Sequence, residues 1–380
     1  MSLFNFINIY ILKQILRDES QIGIFAKEIK LQPFKLKQIF FEIFKNQNID
    51  IDQMTTLSKD LREELKSRFE PISIKLENVI EDQQTTKFAF KTNDGRIIES
   101  VIIYHRQKEQ HVKDNKPKLN RITLCISSQV WCPMWCAFCV TGKLGFTRNL
   151  TRDEIISQIL YANNYIKNKF GKKEDWTLFG VRNVVFMWMW EPLANYDNVK
   201  RAVETMLAQD RLSLGRRHIT ISTVWVVKGI QRMIDDGLTV KLAISLHAPN
   251  QKLREEIIPV AKGTELNDLM NVIEKYIKAT DNRIFYEYIM IKDLTDKPEL
   301  AMELSRLLRW QLAHVNLIPY NENPAMKHFH ESPEWNIRKF KDILEREWIT
   351  VTIRDSMWRE AKGACGQLGW EKVNSDNEEE

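Results

Sequence analysis

Long hydrophobic runs, glycine and pairable cysteines are what this chain of 380 residues has least of. No apolar stretch approaches the ~18 residues that span a bilayer. The segment Leu3–Leu12 is apolar but carries Asn5 and Asn8, has no basic lead-in and ends in no small-residue cleavage site. Neither a signal peptide nor a membrane anchor is expected, and the protein is read as cytoplasmic. Five cysteines, an odd number without a secretory leader, argue against a disulfide scaffold. Glycine numbers 13, about half of its ~7% average usage, while tryptophan numbers 11, far above its usual rarity. Excess charge of one sign is also modest. The net charge is +5, and the terminal Ser-Asp-Asn-Glu-Glu-Glu masks a more basic body of +9. That balance is compatible with a nucleic-acid partner, but many basic enzymes bind none. With 43% hydrophobic and 28% charged residues the chain can bury a large core, which excludes a disordered or fibrous protein.

Three of the cysteines stand together as Cys132-Pro-Met-Trp-Cys136-Ala-Phe-Cys139. A CxxxCxxC run on a short loop can turn three thiolates toward one metal centre. A structural zinc ion wants four ligands, and the nearest fourth thiol is Cys125. Three thiolates suit a 4Fe–4S cluster better: each iron takes one cysteine, and the last is left open for substrate or cofactor. Spacing alone favours the cluster over zinc or a purely structural group, without excluding either.

Along the chain, residues 1–80 read as helical, with Phe34, Leu36, Ile39, Phe40, Ile43 and Phe44 at 3–4 spacing and Lys35, Lys37 and Lys45 among them. Two strands, Lys87–Thr92 and Arg96–His105, are joined by a turn at Asn93-Asp94-Gly95. A polar loop from Arg106 to Arg121 carries more basic than acidic residues. Beyond it, strand-like runs recur near 121–127, 183–189, 218–223, 240–246, 283–291, 314–319 and 349–354, separated by amphipathic segments. Thr151-Arg-Asp-Glu154 is a capping box opening a helix with Ile155, Ile156, Ile159 and Leu160 on its inner face. This alternation predicts an α/β protein whose parallel sheet is covered by helices. In barrels of this type the chemistry gathers at the C-terminal ends of strands.

With Phe138 between the second and third cysteines, the loop resembles the CxxxCxΦC signature of radical S-adenosylmethionine (SAM) enzymes. The flanking text, Cys125-Ile-Ser-Ser-Gln-Val and Thr141-Gly142-Lys143-Leu144-Gly145-Phe146-Thr147-Arg148-Asn149-Leu150, is similar to the RlmN/Cfr family of RNA adenine methyltransferases. The similarity continues through Met187–Leu193, Ile219–Thr223, Leu242–Asn250, Val315–Tyr320 and Ala364–Leu368, covering roughly residues 32–370. Glu191-Pro192-Leu193 and Ile318-Pro319-Tyr320 look more like the RlmN branch than the Cfr branch.

The resemblance implies a partial (β/α)6 radical SAM barrel at 121–370. It also implies a helical RNA-contacting domain at 1–85, a β extension at 86–120 and an acidic tail at 371–380. Cys132, Cys136 and Cys139 would hold the 4Fe–4S cluster. The SAM positions would be Trp190, Glu191, Ser222, Ser245, Leu246, His247 and Asn316. Individually these have plainer readings: Ser245 and His247 as strand-end residues, Glu191 as a helix N-terminal carboxylate. The family reaction uses two SAM per turnover, methylating first a cysteine, matched by Cys365, and then carbon 2 of an adenosine. Cys125 matches the cysteine that releases the product through a transient disulfide, and Glu99 the proton acceptor. Glu99 could equally be a strand carboxylate facing solvent. The implied partners are 23S rRNA, with tRNA as a second candidate, and an electron donor such as flavodoxin or ferredoxin; a monomer is expected. The Cfr branch would methylate carbon 8 instead.

Where the family has glycine, this chain has tryptophan: Trp131 and Trp135 around the cysteines, Trp188 and Trp190 before Glu191, and Trp225 after Ser222. Trp348 and Trp358 are assigned to the same set. Glycine at such points lets backbone approach SAM or adopt positive φ; an indole at 190 would fill the SAM pocket. Two readings stand. Either the chain is an inactive RNA-binding relative, or the source decodes UGA as glycine and the tryptophans are translation artefacts. Glycine and tryptophan together make 24 residues, close to ordinary glycine usage, and every cysteine and acid of the site is retained, which favours the second.

Overall fold

The computed structural model describes residues 14–15, 19–106, 119–143, 145–171, 180–187, 190–323, 326 and 328–354. Strand β1 (Gln14–Ile15) and helices α1 (Glu19–Glu28), α2 (Pro33–Phe44) and α3 (Lys59–Arg68) come first, and β1 pairs in parallel with β2 (Phe69–Glu70). Pro33 opens α2, where its missing N–H costs nothing. The predicted stripe is the buried one, since Ile39, Phe40, Ile43 and Phe44 are all inside, although Phe34 is half exposed. The Arg211 guanidinium stacks 3.9 Å from the centroid of Phe40 and joins these helices to the rest of the molecule. One continuous apolar core runs from Ile22 and Phe25 through to Val351.

Residues 74–81, expected to be helical, are a strand. β3 (Ile74–Glu81), β4 (Thr85–Thr92) and β5 (Ile97–Arg106) form an antiparallel meander. β3 is the sheet edge and mostly exposed, and a bulge between Leu76 and Asn78 breaks its alternation, so its apolar residues fall at helix-like spacing. Next comes β6 (Leu119–Cys125), antiparallel to β5; most of the expected basic loop lies outside the described residues.

The cysteine segment includes β7 (Gln129–Val130), the short helix α4 (Val140–Lys143) and β8 (Arg148–Asn149). Helix α5 (Arg152–Phe170) then starts at the predicted capping box: the Thr151 hydroxyl accepts from the Glu154 N–H while the Glu154 carboxylate accepts from the Thr151 N–H. β9 (Asn183–Phe186), α6 (Tyr196–Leu207), β10 (Ile219–Thr223), α7 (Val227–Asp235), β11 (Lys241–Ser245), α8 (Gln251–Ile257) and α9 (Leu266–Thr280) follow. β12 (Ile284–Met290), α10 (Pro298–Leu308), β13 (Ala313–Pro319), α11 (Glu334–Arg346) and β14 (Thr350–Ile353) complete the series.

The main sheet has ten strands in the order β14-β13-β12-β11-β10-β9-β6-β5-β4-β3. From β6 to β14 every neighbour is parallel. These are the six strands of the expected barrel, with β14 as a further edge strand. Sequential parallel strands with covering helices put all the β-to-α loops at one end, where a site can be assembled from many strands. Among the described residues no helix is long and apolar enough to cross a membrane.

Candidate active site

A cleft with about 720 Å3 of empty space, part of it open to solvent, lies at that end. Cys132, Cys136 and Cys139 are on its wall, with Met134 and Phe138 between them. The stem of their loop is held by buried amides. Gln158 of α5 accepts from the Ser127 N–H (2.8 Å) and donates to the Ser127 carbonyl (3.0 Å); Asn195 donates to the Ser128 carbonyl (2.7 Å). Burial pushes all three thiols above their ordinary pKa, and for Cys132 and Cys136 neighbouring thiolates add to the rise. Protons therefore stay on until a cation replaces them, as metal binding by cysteine requires. Among the described residues no three His, Cys, Asp or Glu side chains form a ready site for a metal ion. The donor set nonetheless fits a 4Fe–4S cluster, which takes one soft thiolate per iron and would leave one iron facing the cleft.

Opposite the cysteines, Ser222 is the penultimate residue of β10 and Ser245 the last of β11, their hydroxyls 3.3 Å apart. His247, two residues on, has φ +61°, and its conformation is fixed twice. Its backbone N–H donates to the Glu287 carbonyl (3.2 Å), and its ring Nδ1 accepts from the Ile289 N–H (3.2 Å). Its ring meets the Phe138 ring edge-on at 5.1 Å. Burial, with Arg254 adding to it, holds its pKa down to about 3, so the imidazole is neutral. Trp190 also lines the cleft and is buried, its ring 6.5 Å from that of Trp131. The indole N–H of Trp225 donates to the Met134 sulfur (3.0 Å).

Other predicted residues are not on the cleft wall. Glu191 is fully buried and caps the short turn Pro192–Asn195. One carboxylate oxygen accepts from the Leu193 N–H (3.1 Å), the other from the Val224 N–H (2.8 Å). Burial raises its pKa to about 7 against these bonds. Leu246 is a core residue. Asn316 sits mid-strand on β13 and donates to a Glu287 carboxylate oxygen (2.8 Å). Cys125 ends β6, buried, its thiol donating to the Met187 carbonyl (3.2 Å); burial pushes its pKa up to about 12. Glu99, on neighbouring β5, does not face solvent: it is buried in an ion pair with Lys87 (3.3 Å). Cys125, Cys132, Cys136 and Cys139 are free thiols, and there is no disulfide among the described residues. Cys365, Trp188 and Trp358 lie outside those residues.

Glu287 was missed. It is buried on β12, directly opposite Ser245 and Asn316 in register, and it lines the cleft. The available signal was a lone acid inside Ile284-Phe-Tyr-Glu287-Tyr-Ile-Met290, where every neighbour is apolar or aromatic.

The backbone of several tryptophans is unusual. Trp131, Trp135, Trp310 and Trp348 have φ of +61°, +53°, +74° and +63°. That region is a genuine outlier for a bulky L-residue.

Three comparisons with known proteins complete the picture. Residues 16–70 match the ribosomal RNA large subunit methyltransferase N-terminal domain family. The probable dual-specificity RNA methyltransferase RlmN of Thermosipho melanesiensis is 38% identical over 352 residues, spanning 91% of this chain and 95% of that protein. The ribosomal RNA large subunit methyltransferase N of Nitrosopumilus maritimus is 36% identical, spanning 88% of this chain and 92% of its own length. Among solved structures, a radical SAM methyltransferase from Sphaerobacter thermophilus superposes with a TM-score of 0.82 at 32% identity, over 93% of this chain and 97% of that one. These similarities favour neither the carbon 8 alternative nor an inactive RNA-binding protein. Identity at this level over nine-tenths of the chain, with the same fold and the three thiols gathered on one cleft, makes the chain a member of the RlmN family of radical SAM RNA methyltransferases.

Proposed function

We propose that the protein methylates carbon 2 of an adenosine in 23S rRNA, and of an adenosine in tRNA, through a methylated cysteine. The observation that carries this reading is the shared cleft: Cys132, Cys136 and Cys139 on one wall, Ser222, Ser245 and His247 on the other. Cys132, Cys136 and Cys139 would hold the cluster, which when bound would supply the electron for reductive cleavage of SAM, and Cys365 would carry the methyl group that is activated by loss of hydrogen. Carbon 2 of adenine is electrophilic, so a methyl group on sulfur, activated as a carbon radical, is the form that can add to it.

The chain's own residues do the rest. The Cys365 thiolate takes the first methyl group by polar displacement. Glu99, held by Lys87, would receive the proton from carbon 2, and the one electron the adduct sheds with it would return to the oxidised cluster that gave one to SAM. The Cys125 thiolate then attacks the Cys365 sulfur. A disulfide forms, the carbon–sulfur bond breaks, and its electron pair stays with the methylene carbon, which takes up a proton. Cys125 rests as a thiol with a pKa of about 12, so it acts only after losing its proton. Residues 1–85 and the basic loop before β6 would hold RNA, and a flavodoxin- or ferredoxin-type donor would reduce the cluster of a cytoplasmic monomer. The adenosine must leave its stack to enter the cleft, which unpaired RNA allows.

The test is anaerobic reconstitution of the chain as it stands and of a version with glycine at positions 131, 135, 190 and 225. The glycine version should bind about four irons, cleave SAM under reduction and leave 2-methyladenosine in 23S rRNA. 8-Methyladenosine would move the protein to the other branch. RNA binding without methylation by either version would leave only a binding module. One zinc and no iron would remove the cluster.

A further inference from the structure

The polar residues of β10 to β13 form a row across the inside of the barrel: Ser222, Ser245, Glu287 and Asn316, one per strand. Glu287 carries its only formal charge. One carboxylate oxygen, Oε1, accepts from Asn316 (2.8 Å) and lies 3.4 Å from the Arg354 guanidinium. The other, Oε2, is buried and has no hydrogen-bond partner. Leaving a buried carboxylate oxygen without a donor is costly, and the residue is on the cleft wall. The missing donor therefore belongs to the cleft's occupant.

We propose that Glu287 Oε2 accepts a hydrogen bond from a free ribose hydroxyl of the adenosyl group of SAM, and so selects for an adenosyl ligand. The deduction rests on the methyltransferase reading. If the methionyl end of SAM meets the cysteine side, its adenosyl end reaches the strand side. There Ile289 and Ile318 offer apolar surface for a base beside Glu287. Carboxylates recognise ribose hydroxyls in other nucleotide sites. The RNA adenosine also has a ribose, but an internal nucleotide keeps only its 2′-hydroxyl, whereas SAM has two adjacent free hydroxyls.

The reconstituted full chain, unsubstituted and with glycine at positions 131, 135, 190 and 225, is titrated calorimetrically with S-adenosylhomocysteine, adenosine, 2′,3′-dideoxyadenosine and methionine. Glu287→Gln should weaken S-adenosylhomocysteine and adenosine at least tenfold and leave methionine unchanged. Dideoxyadenosine should bind the parent as weakly as adenosine binds the variant. Equal S-adenosylhomocysteine affinity in parent and a folded Glu287→Gln overturns the proposal. So does a loss confined to an adenosine-containing RNA oligonucleotide, which would give the carboxylate to the substrate instead. If the variant does not fold, adenosine against dideoxyadenosine on the parent decides alone, and equal affinity overturns it. Failure of both parent chains to bind S-adenosylhomocysteine would instead overturn the methyltransferase reading itself.

Backbone conformation independently supports a second inference. Trp310 is the third residue of a turn after α10: Arg309 has φ −56° and ψ 134°, Trp310 has φ +74°, and the Gln311 N–H donates to the Leu308 carbonyl (3.1 Å). This is a type II turn, whose third position calls for glycine. Trp348 follows α11 with the paired bonds of a Schellman motif, from its own N–H to the Glu345 carbonyl and from the Ile349 N–H to the Leu344 carbonyl, both 3.1 Å. Glycine is the usual residue there. Both indoles are almost wholly in solvent, 91% and 96% exposed, so no packing compensates for the conformation. We infer that positions 131, 135, 310 and 348 are glycine in the working protein, from codons read as tryptophan but decoded as glycine by the source. Peptide mass spectrometry on protein from the native organism, with the gene sequence, should give glycine at all four and TGA codons. Tryptophan peptides or TGG codons there would overturn it.

Discussion

On one side of the cleft, Ser222, Ser245 and Glu287 stand on three hydrogen-bonded parallel strands, with Asn316 of the next strand bonded to Glu287, and none of the four has a left-handed φ. Across from them, residues 131–139 form an irregular loop in which two tryptophans take left-handed φ. Gly142 lies so close that a Cβ there would come within 3.2 Å of the Trp135 Cα. The strand side positions side chains through the ladder, so a wrong residue changes one contact. The loop side positions the thiols through its own backbone, so a wrong residue changes the path of the chain. Substitutions on the two sides should therefore fail differently.

The largest contrast lies between two cysteines outside that loop. In the glycine-restored chain, Cys365→Ala should abolish RNA methylation while keeping the cluster, because it removes the methyl acceptor and no iron ligand. Cys125→Ala should allow methyl transfer and radical addition but not release. RNA should then accumulate covalently on the protein, visible on a denaturing gel. Methylated RNA released at the normal rate by Cys125→Ala would remove Cys125 from the mechanism. The raised pKa of the Cys125 thiol adds a pH signature: release should quicken about tenfold per pH unit through the neutral range, as the thiolate fraction grows.

A smaller effect, still of several kcal/mol, separates the walls by acid. His247 joins the strand side to Phe138 of the loop, and its folded pKa of about 3 lies below its ordinary value. The folded state binds fewer protons than the unfolded one. Its stabilising contribution is complete above about pH 6.5 and is lost as pH falls toward 3, up to about 5 kcal/mol in all. His247→Gln can still accept from the Ile289 N–H and should flatten the acid limb of the stability profile by one proton between pH 6.5 and 4. An unchanged slope in urea titrations would mean that the imidazole is not the group responsible.

The same contrast explains which parts were legible in the sequence. The helix after Thr151 declared itself because a capping box is a local contract between a residue and the one three positions on. The parallel strands were legible as apolar runs between amphipathic helices. β3 was not, because an exposed edge strand with a bulge has no clean alternation to read. Glu99 could be picked out only by resemblance: its burial depends on Lys87, a neighbour supplied by strand pairing and not by sequence proximity. Glu287 was hidden for the opposite reason. Its strand was read correctly, but an acid within it becomes informative only when one oxygen proves to have a partner and the other none.

The smallest predicted effect tests the backbone rule where no catalysis intrudes. Helix α11 carries a tryptophan near each end, and both are exposed, so neither change removes a packed side chain. Trp335 lies in the first turn, where glycine is a poorer helix former by roughly half a kcal/mol. Trp348 lies just past the C-terminus at φ +63°, where an L side chain costs about 1 kcal/mol or more relative to glycine. Part of that gain is offset because glycine also frees the unfolded chain. Trp348→Gly should therefore raise the thermal midpoint by a degree or two, and Trp335→Gly should lower it slightly. Opposite signs from the same substitution on one helix would isolate backbone conformation as the cause. If both substitutions destabilise, the left-handed position carries no strain, and the conformational argument for glycine at 131, 135 and 310 loses its support.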